Sequence, residues 1–253
     1  MLEAACGSAL GKVRKNNEDN FLFCGKTLTG DNRGMKKAAQ GWVDREYPAC
    51  FGVFDGVGGE RYGEKASFAA ARKLRELSAQ LEEYIIPEQT FLCNACAAMN
   101  DAVLSLRNQL GVDRMGTTAV VALFQPDEVY VCNLGDSRAY RLRRGVFQQL
   151  TKDDCPAAPP GTRSGGITQY LGADPAELTL EPHISKGPLL PEDRYLLCSD
   201  GLTDMLTNFE ISDIMLTNPA PRDSVNALIR AALAKGGRDN ITVIVCRVVR
   251  QEQ

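Results

Sequence analysis

Histidine is almost absent from this chain, which contains one histidine, His183, in 253 residues. Sites that need several imidazoles, such as the HExxH helix of zinc peptidases, are therefore excluded. His183 lies in the polar, proline-flanked stretch LTLEPHISKG, and we expect it to face solvent. If the chain is an enzyme, its acids, bases and metal ligands are carboxylates and water.

The chain also lacks a long apolar run, a strong net charge and a typical leader. No stretch approaches the roughly 20 apolar residues of a membrane helix, so we expect no membrane partner. The start, MLEAACGSAL, has neither the basic residues nor the apolar core of a signal peptide, which makes a cytoplasmic location the default expectation. The net charge of −3 gives no electrostatic reason to expect nucleic-acid binding.

The cysteines do not form a recognisable metal or disulfide framework. There are nine, an odd number, and most of them lie inside apolar runs, where a reduced cysteine behaves as a small hydrophobe. One CxxC pair, Cys93 and Cys96, has no second pair or histidine nearby to complete a zinc site. We interpret the cysteines as packing residues of a reducing compartment.

What the sequence does contain is a strand-rich pattern with two long helical blocks. Apolar periodicity predicts the helices 63–81, 87–110, 208–216 and 222–235, and the strands 48–54, 194–200 and 241–249. Residues 117–145 look like three successive strands of an antiparallel meander, whereas 26–47 look like a loop or loose hairpin and 151–166 like an irregular loop. This order predicts an α+β fold of sheets layered with helices in one domain.

Four apolar, strand-like segments each have an aspartate at one end: Asp55, Asp136, Asp200 and Asp239. Taken singly, each is explained as a turn residue, because Asp-Gly is a common turn dipeptide. Together they are expected to converge on one edge of a sheet, where two carboxylates about 4 Å apart repel by on the order of 4 kcal/mol. Divalent cations relieve such repulsion, and ligation by oxygen alone favours Mg²⁺ or Mn²⁺ over zinc.

Six motifs in order resemble those of one family: VRKNNED, FDGVGG, GTTAVVALF, NLGDSRAYRLR, CSDGLTDML and GGRDNITVIV. They resemble the metal-dependent protein phosphatases (PPM), the type 2C serine/threonine phosphatases, and most of all the compact bacterial members. The resemblance extends over about residues 8–249. It implies a four-layer α-β-β-α sandwich of two antiparallel sheets flanked by helix pairs, with residues 1–253 forming a single phosphatase domain.

The resemblance also implies a two-metal site. Asp55 would bridge two Mn²⁺ or Mg²⁺ ions, one of which also binds the Gly56 carbonyl. Asp200 and Asp239 would complete the other ion. Asp136, together with Asp200, matches positions that bind a third metal in bacterial relatives.

The remaining implied roles belong to residues around that site. Glu18 and Asp19 would hold metal-bound waters, and Arg14 would receive the substrate phosphate with its forked guanidinium. We expect Thr117 and Thr118 to support the sheet near the site rather than to touch substrate.

The implied reaction is hydrolysis of phosphoserine and phosphothreonine in proteins by direct attack of a metal-bridging hydroxide. The enzyme would counter a serine/threonine kinase and act as a monomer. Two alternatives stay open: a catalytically silent scaffold of the same fold, and a small-molecule phosphoesterase with the same metal pair. The presence of aspartate at each matched ligand position speaks against the scaffold.

The chain departs from the family pattern in two places. Val57 follows Asp55-Gly56 where many eukaryotic members carry a histidine, so protonation of the leaving group needs another donor. Residues 151–166 replace a longer charged flap with a shortened loop rich in proline and glycine. The nearby Arg141, Arg143 and Arg144 are interpreted as the solvated face of a hairpin, with contact to a phosphopeptide as the alternative.

Overall fold

Two antiparallel sheets form the centre of the structure, a computed structural model that describes residues 1–57, 62–81, 86–156 and 166–249. The strands are β1 (Leu2–Ala9), β2 (Asp19–Leu22), β3 (Ala39–Val43), β4 (Ala49–Asp55), β5 (Ala119–Phe124), β6 (Glu128–Leu134), β7 (Arg138–Arg143), β8 (Val146–Gln149), β9 (His183–Pro188), β10 (Arg194–Cys198) and β11 (Ile241–Val248). The helices are α1 (Gly63–Ser78), α2 (Glu88–Leu110), α3 (Asp200–Thr203), α4 (Asn208–Thr217) and α5 (Pro221–Ala234).

Each sheet is assembled from strands that are distant in sequence. The six-stranded sheet has the order β3-β1-β11-β10-β7-β8, and the five-stranded sheet has the order β2-β4-β5-β6-β9. In the first sheet β1 pairs with β11 along its whole length, from Leu2 opposite Val248 to Ala9 opposite Ile241. This pairing brings the segment after β1 and the segment before β11 to the same end of the molecule.

The two sheets face each other across an apolar core and are covered by helices on their outer faces. Phe51, Phe124 and Tyr195 meet between the sheets, with ring centroids 5.4 to 5.8 Å apart. Helices α1 and α2 cover the five-stranded sheet, and α4 and α5 cover the six-stranded one. The predicted four-layer sandwich is therefore confirmed.

Local sequence explains where the long helices begin and end. Alanines and leucines at helical spacing give α1 a continuous buried face. Pro87 precedes the first turn of α2, and Gly111 ends this helix in a left-handed conformation at φ 63°. Thr207 and Glu210 form a reciprocal capping box at the start of α4. Among the described residues, no helix is both long and apolar enough to cross a membrane.

Two sequence-based predictions about strands are wrong. Residues 26–47 are neither only a loop nor a hairpin, because they contain β3, which pairs with β1 and forms one edge of the six-stranded sheet. Residues 117–145 do not form a meander: β5 pairs with β6, but β7 lies in the other sheet between β10 and β8. The chain crosses between the sheets at Gly135, whose φ of 100° suits glycine. Alternation in the sequence locates strands, but it does not identify their partners.

Candidate active site

A cavity of about 550 Å³ opens at the end of the two sheets where the predicted site residues meet. Six of the predicted residues line it: Arg14, Asp55, Gly56, Asp136, Asp200 and Asp239. The other two, Glu18 and Asp19, do not line the cavity. The backbone carbonyl of Glu18 accepts a hydrogen bond from the Gly56 N–H at 3.1 Å, and Asp19 lies opposite Asp55 in the pairing of β2 with β4. The acidic residues predicted from separate motifs are therefore neighbours.

Asp55 is the last residue of β4, and two threonines of the adjacent segment hold its backbone. The Thr117 hydroxyl donates to the Asp55 carbonyl at 2.8 Å, and the Asp55 N–H donates to the Thr118 hydroxyl oxygen at 3.1 Å. The Thr118 hydroxyl also shares a hydrogen bond with the Ser137 hydroxyl at 2.8 Å. Both threonines therefore support the end of β4 as predicted, although Thr118 also lines the cavity, and Ser137 is an addition that the sequence did not suggest.

Close backbone contacts explain two glycines of the site. A Cβ on Gly56 would stand 2.5 Å from backbone atoms of Gly63, so only glycine lets the start of α1 approach the end of β4. A Cβ on Gly201 would stand 1.9 Å from the carbonyl oxygen of Asn240. Because Gly56 and Gly201 lack side chains, Asp55 can lie close to α1 and Asp200 can lie close to the start of β11.

Asp19 joins the two sheets beneath the cavity. The Ser199 hydroxyl, which follows β10 in the other sheet, donates to Asp19 Oδ2 at 2.8 Å. Asp19 Oδ1 is also buried, and within the described ranges it has no hydrogen-bond partner. Because the ligand candidates come from both sheets, the expectation that they converge on one edge of a single sheet is wrong: they meet where the ends of the two sheets face each other.

Burial and mutual repulsion raise the pKa of most of these carboxyls. Desolvation raises the pKa of Asp19 to about 7, with Asp200 and Asp239 adding repulsion. Desolvation, followed by repulsion from Asp19 and Asp200, also raises the pKa of Asp55 well above its ordinary value. The pKa of Asp136 rises to about 6 for the same two reasons. The cluster therefore holds its full negative charge only at a cost in free energy, which bound cations would offset.

A similar shift affects Glu18, but Arg14 partly offsets it. Desolvation raises the pKa of Glu18 to about 7, while the positive charge of Arg14 acts to lower it. Arg14 Nη2 donates to Asp239 Oδ2 at 2.5 Å, and this hydrogen bond raises the pKa of Arg14. The residue predicted to receive phosphate and one predicted metal ligand are thus in direct contact.

Asn240 organises this side of the cavity, a role that the sequence did not reveal. Its side-chain oxygen accepts a hydrogen bond from the Glu18 N–H at 2.8 Å. Its side-chain nitrogen donates to the carbonyls of Leu10 and Asn16 at 2.8 and 3.0 Å. Asn240 therefore holds the segment that carries Arg14 against the segment that carries Asp239. The only sequence signal is its position next to Asp239 in GGRDN.

The cavity lining contains a second arginine to which the sequence analysis gave no role in the site. Arg138 binds both carboxylate oxygens of Asp153 at 2.6 to 3.0 Å, and both residues line the cavity. Of the predicted short flap, 151–166, the structure describes residues 151–156 and 166, and the rest lies outside the described residues. The Arg138–Asp153 pair joins the beginning of this segment to β7.

His183 does not simply face solvent as expected. It begins β9, its side chain is 40% exposed, and its Nε2 lies 3.0 Å from Oδ1 of the buried Asp154. Asp154 Oδ2 in turn accepts a hydrogen bond from the Gly135 N–H at 2.9 Å. The histidine therefore supports the segment next to Asp136. The sequence hid this contact, because Asp154 lies 29 positions away in an irregular loop.

The donor set has the chemistry that a hard divalent cation prefers. The carboxylates supply oxygen only, and the buried Oδ1 of Asp19 lacks a partner among the described residues. In the same described ranges, no three acidic, histidine or cysteine side chains surround a common point closely enough to coordinate an ion. Asp239, one of the predicted ligands, is hydrogen-bonded to the guanidinium of Arg14. The individual ligand roles stay predictions.

Comparison with known proteins identifies the family. A family model described as Protein phosphatase 2C matches residues 36–235. The chain belongs to the protein phosphatase 2C family. The matched range includes Asp55, Asp136 and Asp200, whereas Arg14 and Asp239 lie before and after it on the two segments that their hydrogen bond joins.

Individual members of the protein phosphatase 2C family resemble the chain over most of its length. It is 30% identical over 249 residues to the serine/threonine phosphatase stp of Listeria monocytogenes, covering 93% of this chain and 91% of that protein. It is 31% identical over 263 residues to the serine/threonine protein phosphatase PstP of Mycobacterium tuberculosis, covering 98% of this chain and 45% of that protein.

Solved structures of PstP resemble this protein phosphatase 2C member closely. The crystal structure of M. tuberculosis PstP/Ppp has a TM-score of 0.79 at 29% identity, covering 99% of this chain and 100% of that one. The PstP catalytic domain in complex with two manganese ions has a TM-score of 0.74, with the same identity and coverage. The predicted family and the enzyme class of serine/threonine protein phosphatase are confirmed.

Proposed function

We propose that this protein phosphatase 2C member hydrolyses phosphoserine and phosphothreonine in proteins at the acidic cavity. The observation that carries the proposal is the meeting of Asp55, Asp200, Asp239 and Arg14 at one opening. Manganese is bound by the PstP catalytic domain, and Mn²⁺ or Mg²⁺ is the cofactor here.

The chain's own carboxylates would hold these ions. Asp55, the Gly56 carbonyl, Asp200 and Asp239 would bind two ions, and Asp136 with Asp200 would provide a third position. When bound, such ions lower the pKa of a coordinated water toward neutrality and offset the negative charge of the phosphoryl oxygens. Glu18 and Asp19 would orient surrounding water by accepting its hydrogen bonds.

Arg14 would bind and orient the phosphoryl group. Its guanidinium is 39% exposed at the cavity, so a ligand can reach it, and its planar donors match two oxygens of a phosphate. Asp239 holds the guanidinium at the cavity edge, and Asn240 holds the two segments together. These contacts place the positive charge next to the carboxylates before substrate arrives.

The leaving group must obtain its proton from water or from the substrate itself. Val57 lines the cavity at the position where many eukaryotic members carry histidine, and an apolar side chain has no proton to give. The chain's one histidine, His183, is engaged with Asp154 on β9.

Two alternatives remain as outcomes of one experiment. The experiment compares, in saturating Mn²⁺, the hydrolysis of p-nitrophenyl phosphate, of phosphothreonine peptides and of nucleotides. Asp55→Ala and Asp200→Ala are the inactive references. Asp101→Ala, which removes an exposed carboxylate on α2, is the matched control. We expect peptide turnover by the wild type and the control only. No turnover of any substrate would indicate a silent scaffold, and turnover of nucleotides without peptides would indicate a small-molecule phosphoesterase.

The finer parts of the proposal concern the setting of the enzyme. We place it in a bacterial cytoplasm, as a monomer made of the single domain 1–253, acting in signalling opposite a serine/threonine kinase. A phosphatase of this class consumes phosphoproteins that only kinases produce, which supports the kinase partner. Size-exclusion chromatography tests the monomer, and comparison of phosphoproteins with and without the enzyme tests the kinase relation.

A further inference from the structure

Two positively charged segments lie side by side, and each of them also carries a residue that lines the acidic cavity, Arg14 in one and Asp239 in the other. The first follows β1 and carries Lys12 and Lys15, and the second precedes β11 and carries Arg238. The Lys12 N–H donates to the Gly237 carbonyl at 2.7 Å, which holds the two segments in contact. We call Lys12, Lys15 and Arg238 the basic rim.

The charges of the basic rim are not neutralised within the described part of the chain. All three side chains belong to exposed residues, and none of them forms an ion pair with a described carboxylate. Their neighbours differ in this respect, because Arg14 pairs with Asp239 and Lys235 pairs with Glu210. The rim therefore presents positive charge to solvent next to a cavity lined by six aspartates and two arginines.

The remaining charged lining of the cavity has the reverse character. It includes Asp136, Asp153 and Asp204, and Arg138 is already engaged by Asp153. A peptide that crosses the opening thus passes from a basic edge to an acidic wall. Negative charge on the peptide therefore strengthens binding only in the part that lies on the Arg14 side.

Val13 adds a second property to the same edge. It lies between Lys12 and Arg14, and it is 66% exposed although it is a large apolar residue. An exposed valine flanked by cations offers both apolar and electrostatic contact to a residue next to the phosphorylated one.

We propose that the basic rim selects phosphoprotein segments that carry acidic residues next to the phosphorylated residue. The inference rests on the proposed function, since Arg14 must receive the phosphoryl group for the rim to lie beside the flanking residues. An extended peptide advances about 3.3 Å per residue. The peptide side chains one or two positions from the phosphorylated residue are therefore within reach of the rim cations, which lie one or two positions from Arg14 and Asp239 in this chain. Exposed charge pairs of this kind change affinity by about twofold to fivefold each.

The experiment measures kcat/KM for two phosphothreonine peptides that differ only at the two positions on each side of the phosphothreonine. These positions are glutamate in the acidic peptide and lysine in the basic peptide. In saturating Mn²⁺ at low salt, we expect the wild type to favour the acidic peptide by roughly tenfold. The preference should shrink as salt rises to about 0.3 M, because screening then acts within a few ångströms.

The test variant reverses the rim with Lys12→Glu, Lys15→Glu and Arg238→Glu. The control variant makes the same net change elsewhere with Lys26→Glu, Lys36→Glu and Lys37→Glu, three exposed residues that, unlike the rim residues, do not flank a residue that lines the cavity. We expect the acidic-to-basic ratio to fall to one or below in the rim variant and to stay near the wild-type value in the control. Should the triple variant not fold, Lys15→Glu alone must lower the ratio by about twofold to fivefold.

The outcomes separate this inference from the function on which it rests. A wild-type ratio near one, or a rim variant with the wild-type ratio, would overturn the role of the rim while peptide turnover upholds the phosphatase. Equal loss of the preference in both variants would assign it to net charge and also refute the rim. Absence of turnover on both peptides and on p-nitrophenyl phosphate would instead overturn the proposed function.

Discussion

Removing the charge of Asp19 should stabilise the metal-free protein at alkaline pH. The Asp19 carboxyl is fully buried, and burial raises its pKa from 3.8 to about 7. A shift of about 3 pKa units corresponds to about 4 kcal/mol, at 1.36 kcal/mol per unit. Asn at this position keeps an oxygen that can accept the hydrogen bond of Ser199 but carries no charge.

The sign of the pH dependence follows from the direction of the shift. The pKa of Asp19 is higher in the folded protein than in the unfolded protein. Between pH 3.8 and about 7 the folded protein therefore keeps the Asp19 proton, whereas the unfolded protein has lost it. The metal-free wild type therefore loses stability as pH rises through this window, and the loss is complete above about pH 7. Asp19→Asn should equal the wild type near pH 4 and exceed it by up to about 4 kcal/mol at pH 8.

Urea denaturation in EDTA at pH 5 and pH 8 measures this difference. Asp193→Asn is the matched control, because Asp193 is equally buried but pairs with Arg143 through two oxygens at 2.5 and 2.7 Å, away from the cavity. Breaking that pair should destabilise the protein by about 3 kcal/mol at both pH values. A pH-independent effect of Asp19→Asn, or destabilisation at pH 8, would refute the electrostatic account of the acidic cluster.

Three further predictions concern the metal, the phosphate and the histidine. Mn²⁺ at about 100 times its Kd should raise the free energy of unfolding of the wild type by about 2.7 kcal/mol but have little effect on Asp55→Ala, measured by urea denaturation; equal gains would remove Asp55 from the ligands. Arg14→Ala should raise KM for phosphate esters at least tenfold with a smaller change in kcat, and an unchanged KM would contradict phosphate binding. His183→Ala should lower the free energy of unfolding by about 1 kcal/mol, because the buried Asp154 loses a hydrogen bond; no change in the urea midpoint would show that this contact is not stabilising.

Features of the fold that depend on local pattern were predictable. The long helices were placed within a few residues of α1 and α2, since alanine spacing, Pro87 and Gly111 are signals contained in the segments themselves. Partner choice was not predictable in the same way. The strand β7 follows β6 after a short turn, yet it pairs in the other sheet, and only the packing of both sheets decides this.

The same distinction applies to the site. The four aspartates were identifiable because each occurs at a strand edge in a motif, and their number made a common site plausible. Ser199 and Asn240 were not identifiable, because their roles consist of contacts with Asp19 and Glu18, more than 100 positions away in sequence. The pairing of Arg14 with Asp239 likewise depends on the register of β1 against β11.

That register has a consequence for biosynthesis. The 231 residues between Ala9 and Ile241 must leave the ribosome before β1 can meet its partner, which takes roughly 10 to 50 seconds at 5–20 residues per second. During this interval β1 has no β11 to shield it, so a nascent chain exposes an apolar strand that chaperones can bind. Asp239 directly precedes β11, so the predicted set of ligands is also complete only after those residues have been translated.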